Sequence, residues 1–219
     1  MNREQLAQLA LGVALTAVAG YVDAIGFLTL KHLFVSFMSG NSTQLAVSAA
    51  QGSRSNAWLA AALVVCFVAG VSLAHLFHTW TQGWHRPVTL GTEAVLLTLG
   101  SLLPVRPMIL AVPIALAMGM QNSVLHKVGE TKTNLTYVTG TLVNVGEKLV
   151  DAFKASDTAG RWAWAPYLLL WTGLVSGAAG GAYAYQGLQI RALLIAVAVL
   201  LGLSVITAQA AIASRSRSA

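Results

Sequence analysis

Long apolar stretches separated by short polar connections dominate this sequence of 219 residues. A helix rises about 1.5 Å per residue, so about 20 apolar residues cross a hydrocarbon core of about 30 Å. Six strongly apolar stretches come close to this length: 5–30, 57–80, 88–103, 108–125, 166–185 and 190–213. A soluble domain could not bury so many apolar runs. The sequence therefore predicts an all-α polytopic membrane protein.

The composition excludes several classes of function. Charged residues make up 9% of the chain and hydrophobic residues 56%, whereas soluble domains carry about 25% charged residues. The net charge of +6 comes from basic residues that stand singly between apolar stretches, which argues against nucleic-acid binding. Cys66 is the one cysteine, and no phosphate-binding glycine loop or set of nucleophile, base and acid is recognisable. We therefore predict no enzyme activity, no cofactor and no metal site.

Two further stretches, 33–50 and 134–152, are long enough to cross a membrane but rich in Ser, Thr, Asn, Gln and Gly. The chain has eight crossings if both cross and six if both re-enter, which predicts six to eight membrane segments. Either even count places both termini on one side. With eight crossings, eight Lys and Arg residues fall on that side and five on the other. This bias favours cytoplasmic termini in a bacterial inner membrane.

An internal duplication organises these segments. Three pairs of similar words occur in the same order at offsets of 99, 100 and 104: 19–23 with 118–122, 37–41 with 137–141, and 94–99 with 198–203. We expect two repeated halves, 1–105 and 106–213, and a basic cytoplasmic tail at 214–219. Each half would hold three apolar spans and one polar small-residue helix, which is broken if it re-enters. Four crossings per half make the repeats parallel and three make them inverted. Both kinds occur in transporters, with the site at the repeat interface.

The sequence from Ala19 to Thr43 resembles a known family. It contains Ala-Gly-Tyr-Val-Asp-Ala-Ile-Gly-Phe at 19–27 and Val-Ser-Phe-Met-Ser-Gly-Asn-Ser-Thr at 35–43. These words are similar to the signature of the YoaK-like bacterial small transmembrane proteins, and the likeness in length and hydropathy extends over the whole chain. The resemblance implies a bacterial integral membrane protein, often described as a transporter candidate. It supplies no catalytic residues.

Asp23 lies deep in the first apolar stretch. A charge at a helix centre costs about 2.5 to 3.5 kcal/mol on insertion scales, so such acids normally face a protein interior or a water-filled cavity. This placement suits a group that alternates between protonated and charged forms during transport. The alternative is a local hydrogen-bonding role near the outer end of the helix. Asn122 occupies the aligned position and would serve as a neutral second ligand or as a contact between helices.

The two polar stretches carry the remaining candidates for a solute or ion pathway. These residues are Ser39, Gly40, Asn41, Thr43 and Gln44 in the first stretch, and Thr139, Gly140, Thr141 and Asn144 in the second. If both stretches are broken helices packed against each other, their hydroxyl and backbone groups would coordinate a small polar solute or ion. The alternative is tight small-residue packing with each hydroxyl bonded to its own helix.

Glu93 and Glu147 are secondary candidates. Glu93 follows Pro87 by six residues and precedes an apolar run, which would place it inside the membrane. Its aligned residue is Val197, so a duplicated role is not expected. Glu147 lies one helical turn before Asp151 and would face a cytoplasmic vestibule, although a solvated helix end explains the pair equally well.

These features predict a small secondary transporter that moves a small polar solute or ion across the bacterial inner membrane, with proton coupling through Asp23. The alternative is a ligand-binding, sensory or structural membrane module that moves nothing. Expected partners are the lipid bilayer and the solute, and not nucleic acid. Small carriers often act as dimers, so a homodimer is a further arrangement that the sequence allows.

Overall fold

The computed structural model describes residues 3–81, 83–124, 138–154 and 157–218, and all regular structure in these ranges is helical. The helices are α1 (Arg3–Thr29), α2 (Met38–Ala50), α3 (Arg54–Trp80), α4 (His85–Leu102), α5 (Pro107–Val124), α6 (Val138–Lys154), α7 (Thr158–Arg161), α8 (Ala165–Leu188) and α9 (Leu193–Ser218). One turn of 3₁₀ helix, Gln189–Ala192, joins α8 to α9. The prediction of an all-α fold is confirmed for these residues.

Four described stretches are long and apolar enough to cross a membrane: Arg3–Thr29, Arg54–Trp80, Pro107–Val124 and Ala165–Ala213. The last contains both α8 and α9, since it is 49 residues long. Many large apolar side chains on these helices are exposed on the molecular surface, as lipid-facing side chains are. The chain is thus a polytopic membrane protein. At 13 residues, α2 rises about 20 Å and is too short to cross.

Glycines allow α1 and α8 to pack closely side by side. Gly173, Gly177 and Gly181 of α8 face Val13, Ala17 and Tyr21 of α1 in that order. A methyl group at Gly177 would overlap the carbonyl oxygen of Ala17. Residue numbers rise together on the two helices, so α1 and α8 run in the same direction. Small residues four apart are the usual means by which membrane helices approach this closely.

A corresponding contact joins α3 to α5. A methyl group at Gly70 would overlap the carbonyl oxygen of Leu116, and one at Gly119 would overlap that of Phe67. Short connections make α4 antiparallel to both α3 and α5, so α3 and α5 run the same way.

At the centre of the bundle, α4 packs antiparallel against α9. Gly100, near the end of α4, faces Leu193 at the start of α9. At the other end of the pair, Ser204 Oγ donates a hydrogen bond of 2.9 Å to the carbonyl oxygen of Pro87. Helix α4 therefore runs opposite to α3, α5 and α9. Leu90, Leu97 and Leu200 are fully buried in the core around this pair.

Neither polar stretch adds a helix that passes through the bundle. The Lys31 ammonium, just beyond α1, donates to Asn56 Oδ1 at 3.1 Å, so α3 begins at the end of the bundle where α1 finishes. Residues 30–53, which we call the re-entrant segment, thus enter and return on one side. Since α3 begins where α1 ends, α3, α5 and α9 run opposite to α1, α4 and α8. Helix α5 therefore ends, and α8 begins, at the end of the bundle that is opposite to Lys31. Of the two crossing counts that the sequence allows, these directions fit six, which requires α4 to cross as well as the helices of the four apolar stretches.

Candidate functional site

Asp23 fixes the non-helical part of the re-entrant segment to α1. Its Oδ1 atom accepts hydrogen bonds from the amides of Val35, at 2.7 Å, and Ser36, at 2.9 Å. The same stretch packs closely on α1, because a methyl group at Gly26 would lie 2.7 Å from Val35 Cγ1. Residues 33–37 are not helical, so their amides need acceptors from elsewhere. The carboxylate therefore stabilises a backbone conformation within the membrane protein's interior.

Asn41 also holds the re-entrant segment in place, through the backbone of Phe34. Its Oδ1 accepts from the amide of Phe34 at 3.0 Å, and its Nδ2 donates to the carbonyl oxygen of Phe34 at 2.6 Å. The side chain is fully buried. This two-way pairing brings the first turn of α2 beside the non-helical residues that precede it. Asn41 is therefore engaged with backbone and offers no vacant side to a solute.

The other candidates on α2 have local or surface environments. Ser39, Thr43 and Gln44 are exposed, and the Thr43 hydroxyl donates to the carbonyl oxygen of Ser39 at 3.1 Å. The half-buried Gly40 lies against the ring of Phe37, where a methyl group would come within 2.7 Å of Cδ1. This pattern matches the alternative that we set out for the sequence, in which hydroxyls bond to their own helix.

The candidates of the second half lie on α5 and α6. Asn122 is half-buried at the end of α5, whereas Thr139 is exposed and Thr141 is buried. Asn144 donates from Nδ2 to the carbonyl oxygen of Gly140 at 2.8 Å, which is again a bond within one helix. The residues that would link Asn122 to α6 lie outside the described part of the chain.

Glu147 lies on the exposed surface of α6. The neighbouring Lys148 forms a salt bridge of 2.9 Å with Asp151, and this carboxylate raises the pKa of the Lys148 ammonium by accepting its hydrogen bond and by charge attraction. A solvated helix surface accounts for this group of charges.

The two polar helices do not meet. In the described residues α2 packs against α3, and α6 packs against α7 and α8. The structure therefore does not bring Ser39, Thr43 and Gln44 together with Thr139 and Asn144 across a common pocket. The expectation that the two polar stretches pack against each other is not met.

Glu93 has the most unusual environment among the candidates. Its side chain is fully buried, and neither carboxyl oxygen has a hydrogen-bond partner in the described structure. It lies on the same face of α4 as Leu90 and Leu97, which point into the core. Buried acidic groups are normally paired, so an unpaired carboxyl in a membrane protein core is a functional candidate in its own right.

A second unpaired oxygen belongs to Gln121 on α5. Its Nε2 donates to the carbonyl oxygen of Leu15 at 2.7 Å, which links α5 to α1. Its Oε1 is buried and has no partner in the part of the chain that the structure describes. Sequence reasoning singled out the adjacent Asn122 and missed Gln121. The available signal was that Gln121 is polar and lies within the duplicated word at 118–122.

A cavity of about 670 Å³ opens between the start of α1, the start of α4 and the second half of α9. Leu11, Leu203 and Ile206 contribute to its walls, and Glu4 and Arg86 supply charged groups. The Nε atom of Arg86 is buried without a hydrogen-bond partner in the described residues. The cavity reaches Pro87, which is six residues before Glu93 on α4, an axial rise of about 9 Å. Sequence reasoning treated Arg86 only as a loop charge.

The opposite end of the α4–α9 pair is closed. A methyl group at Gly100 would lie 3.1 Å from Ile114 Cγ1 and 3.7 Å from Leu193 Cδ1, so these side chains pack directly on α4. Leu110, Ile114 and Leu193 are fully buried. Access to the centre of the bundle is therefore unequal at its two ends.

Comparison with known proteins gives a consistent set of relatives. A family model described as "Protein of unknown function (DUF1275)" matches residues 11–206. The chain is 33% identical over 193 residues to the "UPF0700 transmembrane protein RA0705" of Rhizobium meliloti (strain 1021), covering 83% of this chain and 77% of that relative. It is 30% identical over 146 residues to the "UPF0700 transmembrane protein YoaK" of Bacillus subtilis (strain 168), covering 62% of this chain and 64% of that relative. No solved structure gives a significant match.

Proposed function

We propose, from the premise that this chain belongs to the DUF1275 family of transmembrane proteins, that it is a small secondary transporter of the bacterial inner membrane. This membership confirms the YoaK-like resemblance of residues 19–43. The proposal assigns the protein to solute transport and not to catalysis or nucleic-acid binding.

The proposal rests on one arrangement: a cavity opens at one end of the bundle, and beyond it lies the buried carboxyl of Glu93, which has no hydrogen-bond partner in the described structure. The cavity admits solvent-sized molecules as far as Pro87, and Glu93 lies about two turns deeper than Arg86 on one face of α4. A carboxyl without a protein partner can exchange a proton or bind a cation when the solvent route reaches it. Glu93 is therefore our choice of coupling group.

The helix contacts support a pair of inverted repeats. Gly20 of α1 lies against Leu174 of α8, just as Gly119 of α5 lies against Phe67 of α3. Gly119 follows Gly20 by 99 residues, and Leu174 follows Phe67 by 107 residues. Helices α1, α3 and α4 each run opposite to their aligned partners α5, α8 and α9. An inverted repeat that is open at one end and packed at the other is the arrangement expected of an alternating-access carrier in one of its states.

The charges favour cytoplasmic termini more strongly with six crossings than with eight. By segment of the sequence, nine of the 13 Lys and Arg residues fall on the side of the termini: Arg3, Arg86, Lys127, Lys132, Lys148, Lys154, Arg161, Arg215 and Arg217. Lys31, Arg54, Arg106 and Arg191 fall on the other side. The cavity then opens to the cytoplasm.

In this proposal Asp23 holds the re-entrant segment in place, in contrast to the proton-coupling role that its sequence position indicates. Its Oδ1 already accepts two backbone amides, which is the contact expected of a group that anchors the backbone. The sequence-based hypothesis makes a different prediction for Asp23→Asn, namely loss of coupled transport with the fold retained. Comparing this variant with Glu93→Gln therefore separates the two assignments.

Alternating access can be tested without knowing the substrate. In a Cys66→Ala background, Ala210→Cys places a thiol in the cavity, and Leu193→Cys places one at the packed end. A membrane-impermeant maleimide should label position 210 from the cytoplasmic side and leave position 193 unlabelled at neutral pH. Because Gln mimics a protonated Glu, Glu93→Gln should shift labelling from 210 toward 193. Glu147→Gln, a change to an exposed carboxylate, is the matched control and should have no effect.

Transport itself is measured in proteoliposomes that contain a trapped pH-sensitive dye. Gradients of small organic acids, amines and polar solutes are imposed one at a time, and solute-driven movement of protons should occur for the wild-type protein but not for Glu93→Gln. A sensory or structural module would bind or pack without such movement. Labelling that stays fixed at position 210 under all conditions, together with no proton movement for any solute, would refute the proposal.

A further inference from the structure

Arg86 gives the cavity a charge that no protein group in the described structure neutralises. It makes no hydrogen bond or ion pair with any described residue, and its Nε is buried. The carboxylate of Glu4 lines the same cavity but is exposed and accepts a hydrogen bond of 3.4 Å from Gln8 Nε2. Glu4 forms no ion pair with the Arg86 guanidinium in the described residues.

The remaining walls are mainly apolar. Leu11, Pro87, Leu203 and Ile206 surround the space beside Arg86. Its volume of about 670 Å³ falls in the range of about 300–1,000 Å³ that is typical of small-molecule sites. A ligand that fits this cavity has an apolar body and one anionic group. A guanidinium binds a carboxylate or phosphate through two parallel N–H donors.

We infer that this cavity is a binding site for small amphipathic anions, with Arg86 as the residue that recognises the anionic group. The inference deepens the proposed transport function, because it names the class of solute that would enter from the cytoplasmic side. An anionic group on an apolar body is supplied either by a free organic acid or by an anionic lipid, and the experiment distinguishes these sources.

Binding is tested on the purified full-length protein in phosphatidylcholine nanodiscs. Benzoate is the probe, and benzamide is its neutral counterpart of nearly equal shape. Benzoate should raise the melting temperature in a saturable manner, and benzamide should bind at least about tenfold more weakly, because its amide does not pair with the guanidinium as an anion does. Arg86→Gln should weaken benzoate binding by about tenfold or more, and Arg86→Lys should have an intermediate effect. Arg106→Gln, which removes an exposed arginine from the connection between α4 and α5, should leave binding within about twofold of the wild type.

A second variant tests the site without removing the charge. Ala210→Trp fills the cavity from α9 and should also abolish the benzoate effect. If nanodiscs containing phosphatidylglycerol suppress benzoate binding, the natural ligand is a lipid; if they do not, it is a free acid. Equal binding of benzoate and benzamide, or undiminished binding by folded Arg86→Gln, would overturn the inference.

The outcomes for site and transport are separable. Benzoate binding that depends on Arg86, with thiol labelling fixed at position 210, would keep the site and refute the transporter. A shift of labelling to position 193 without any preference for benzoate would keep the transporter and refute the site.

Discussion

Replacing Asp23 with alanine should destabilise the protein by releasing the re-entrant segment from α1. The substitution removes the acceptor of two hydrogen bonds, of 2.7 Å from the amide of Val35 and 2.9 Å from that of Ser36. Hydrogen bonds to a charged group contribute about 1.5–3 kcal/mol each, so the expected loss is about 3–6 kcal/mol. Water cannot easily replace the lost acceptor, because Val35 and Ser36 are both buried.

The measurement is the thermal unfolding of the purified protein, followed by tryptophan fluorescence. For a chain of this length, 1 kcal/mol corresponds to about 2–4 °C in melting temperature, so Asp23→Ala should lower it by about 6 °C or more. Asp23→Asn keeps an acceptor oxygen of similar geometry and loses the charge-assisted part of each bond. It should therefore cost about half as much as the alanine variant.

The pair of variants also decides what Asp23 does. If Asp23 is a tether, Asp23→Asn should retain most of the solute-driven proton movement of the wild type. A melting temperature of Asp23→Ala within about 2 °C of the wild type would refute the tether. Normal stability of Asp23→Asn with complete loss of proton movement would restore Asp23 as the coupling group.

Two further predictions concern the re-entrant segment and the helix interface. Asn41→Leu should lower stability by about 2–4 kcal/mol in thermal or denaturant unfolding, because both backbone groups of Phe34 lose their partner; Thr43→Ala, on the exposed face of α2, should change it by less than about 0.5 kcal/mol. Gly177→Ala should cost about 1–3 kcal/mol because the new methyl group overlaps the backbone of α1, whereas Gly187→Ala, which meets open space on the same helix, should be neutral or slightly stabilising. Equal melting temperatures within either pair would contradict the corresponding contact.

In the proposed inverted arrangement, the cavity and the closed end share two helices. The central pair α4 and α9 contributes to both, through Pro87 and Leu203 at the open end and through Gly100 and Leu193 at the packed end. A tilt of this pair relative to α1 and α5 would open one end as it closes the other. The glycine contacts of α1 with α8 and of α3 with α5 would stay intact in such a motion.

The sequence by itself determined the class of protein and most of the helices. Apolar runs of membrane-crossing length predicted α1, α3, α5, α8 and α9 to within a few residues, because lipid requires continuous apolar helices whatever their neighbours are. The words at 19–23 and 118–122, which indicated a duplication, contain Gly20 and Gly119, and both glycines lie at helix–helix contacts in the structure. Asp23 and Asn41, which the sequence indicated as pathway residues, are half-buried and buried in the structure.

Only the tertiary structure decided what these polar groups contact. Hydropathy could not distinguish a polar stretch that crosses from one that returns, because both can be rich in hydroxyl and amide side chains. The direction of α3, fixed by the contact of Lys31 with Asn56, decided that case. Nor could the sequence rank Glu93 above Asp23, since both carboxyls lie in apolar runs. Asp23 accepts hydrogen bonds from two backbone amides, 12 and 13 residues further along the chain, whereas Glu93 has no hydrogen-bond partner in the described fold. Such contacts depend on which parts of the chain meet in space.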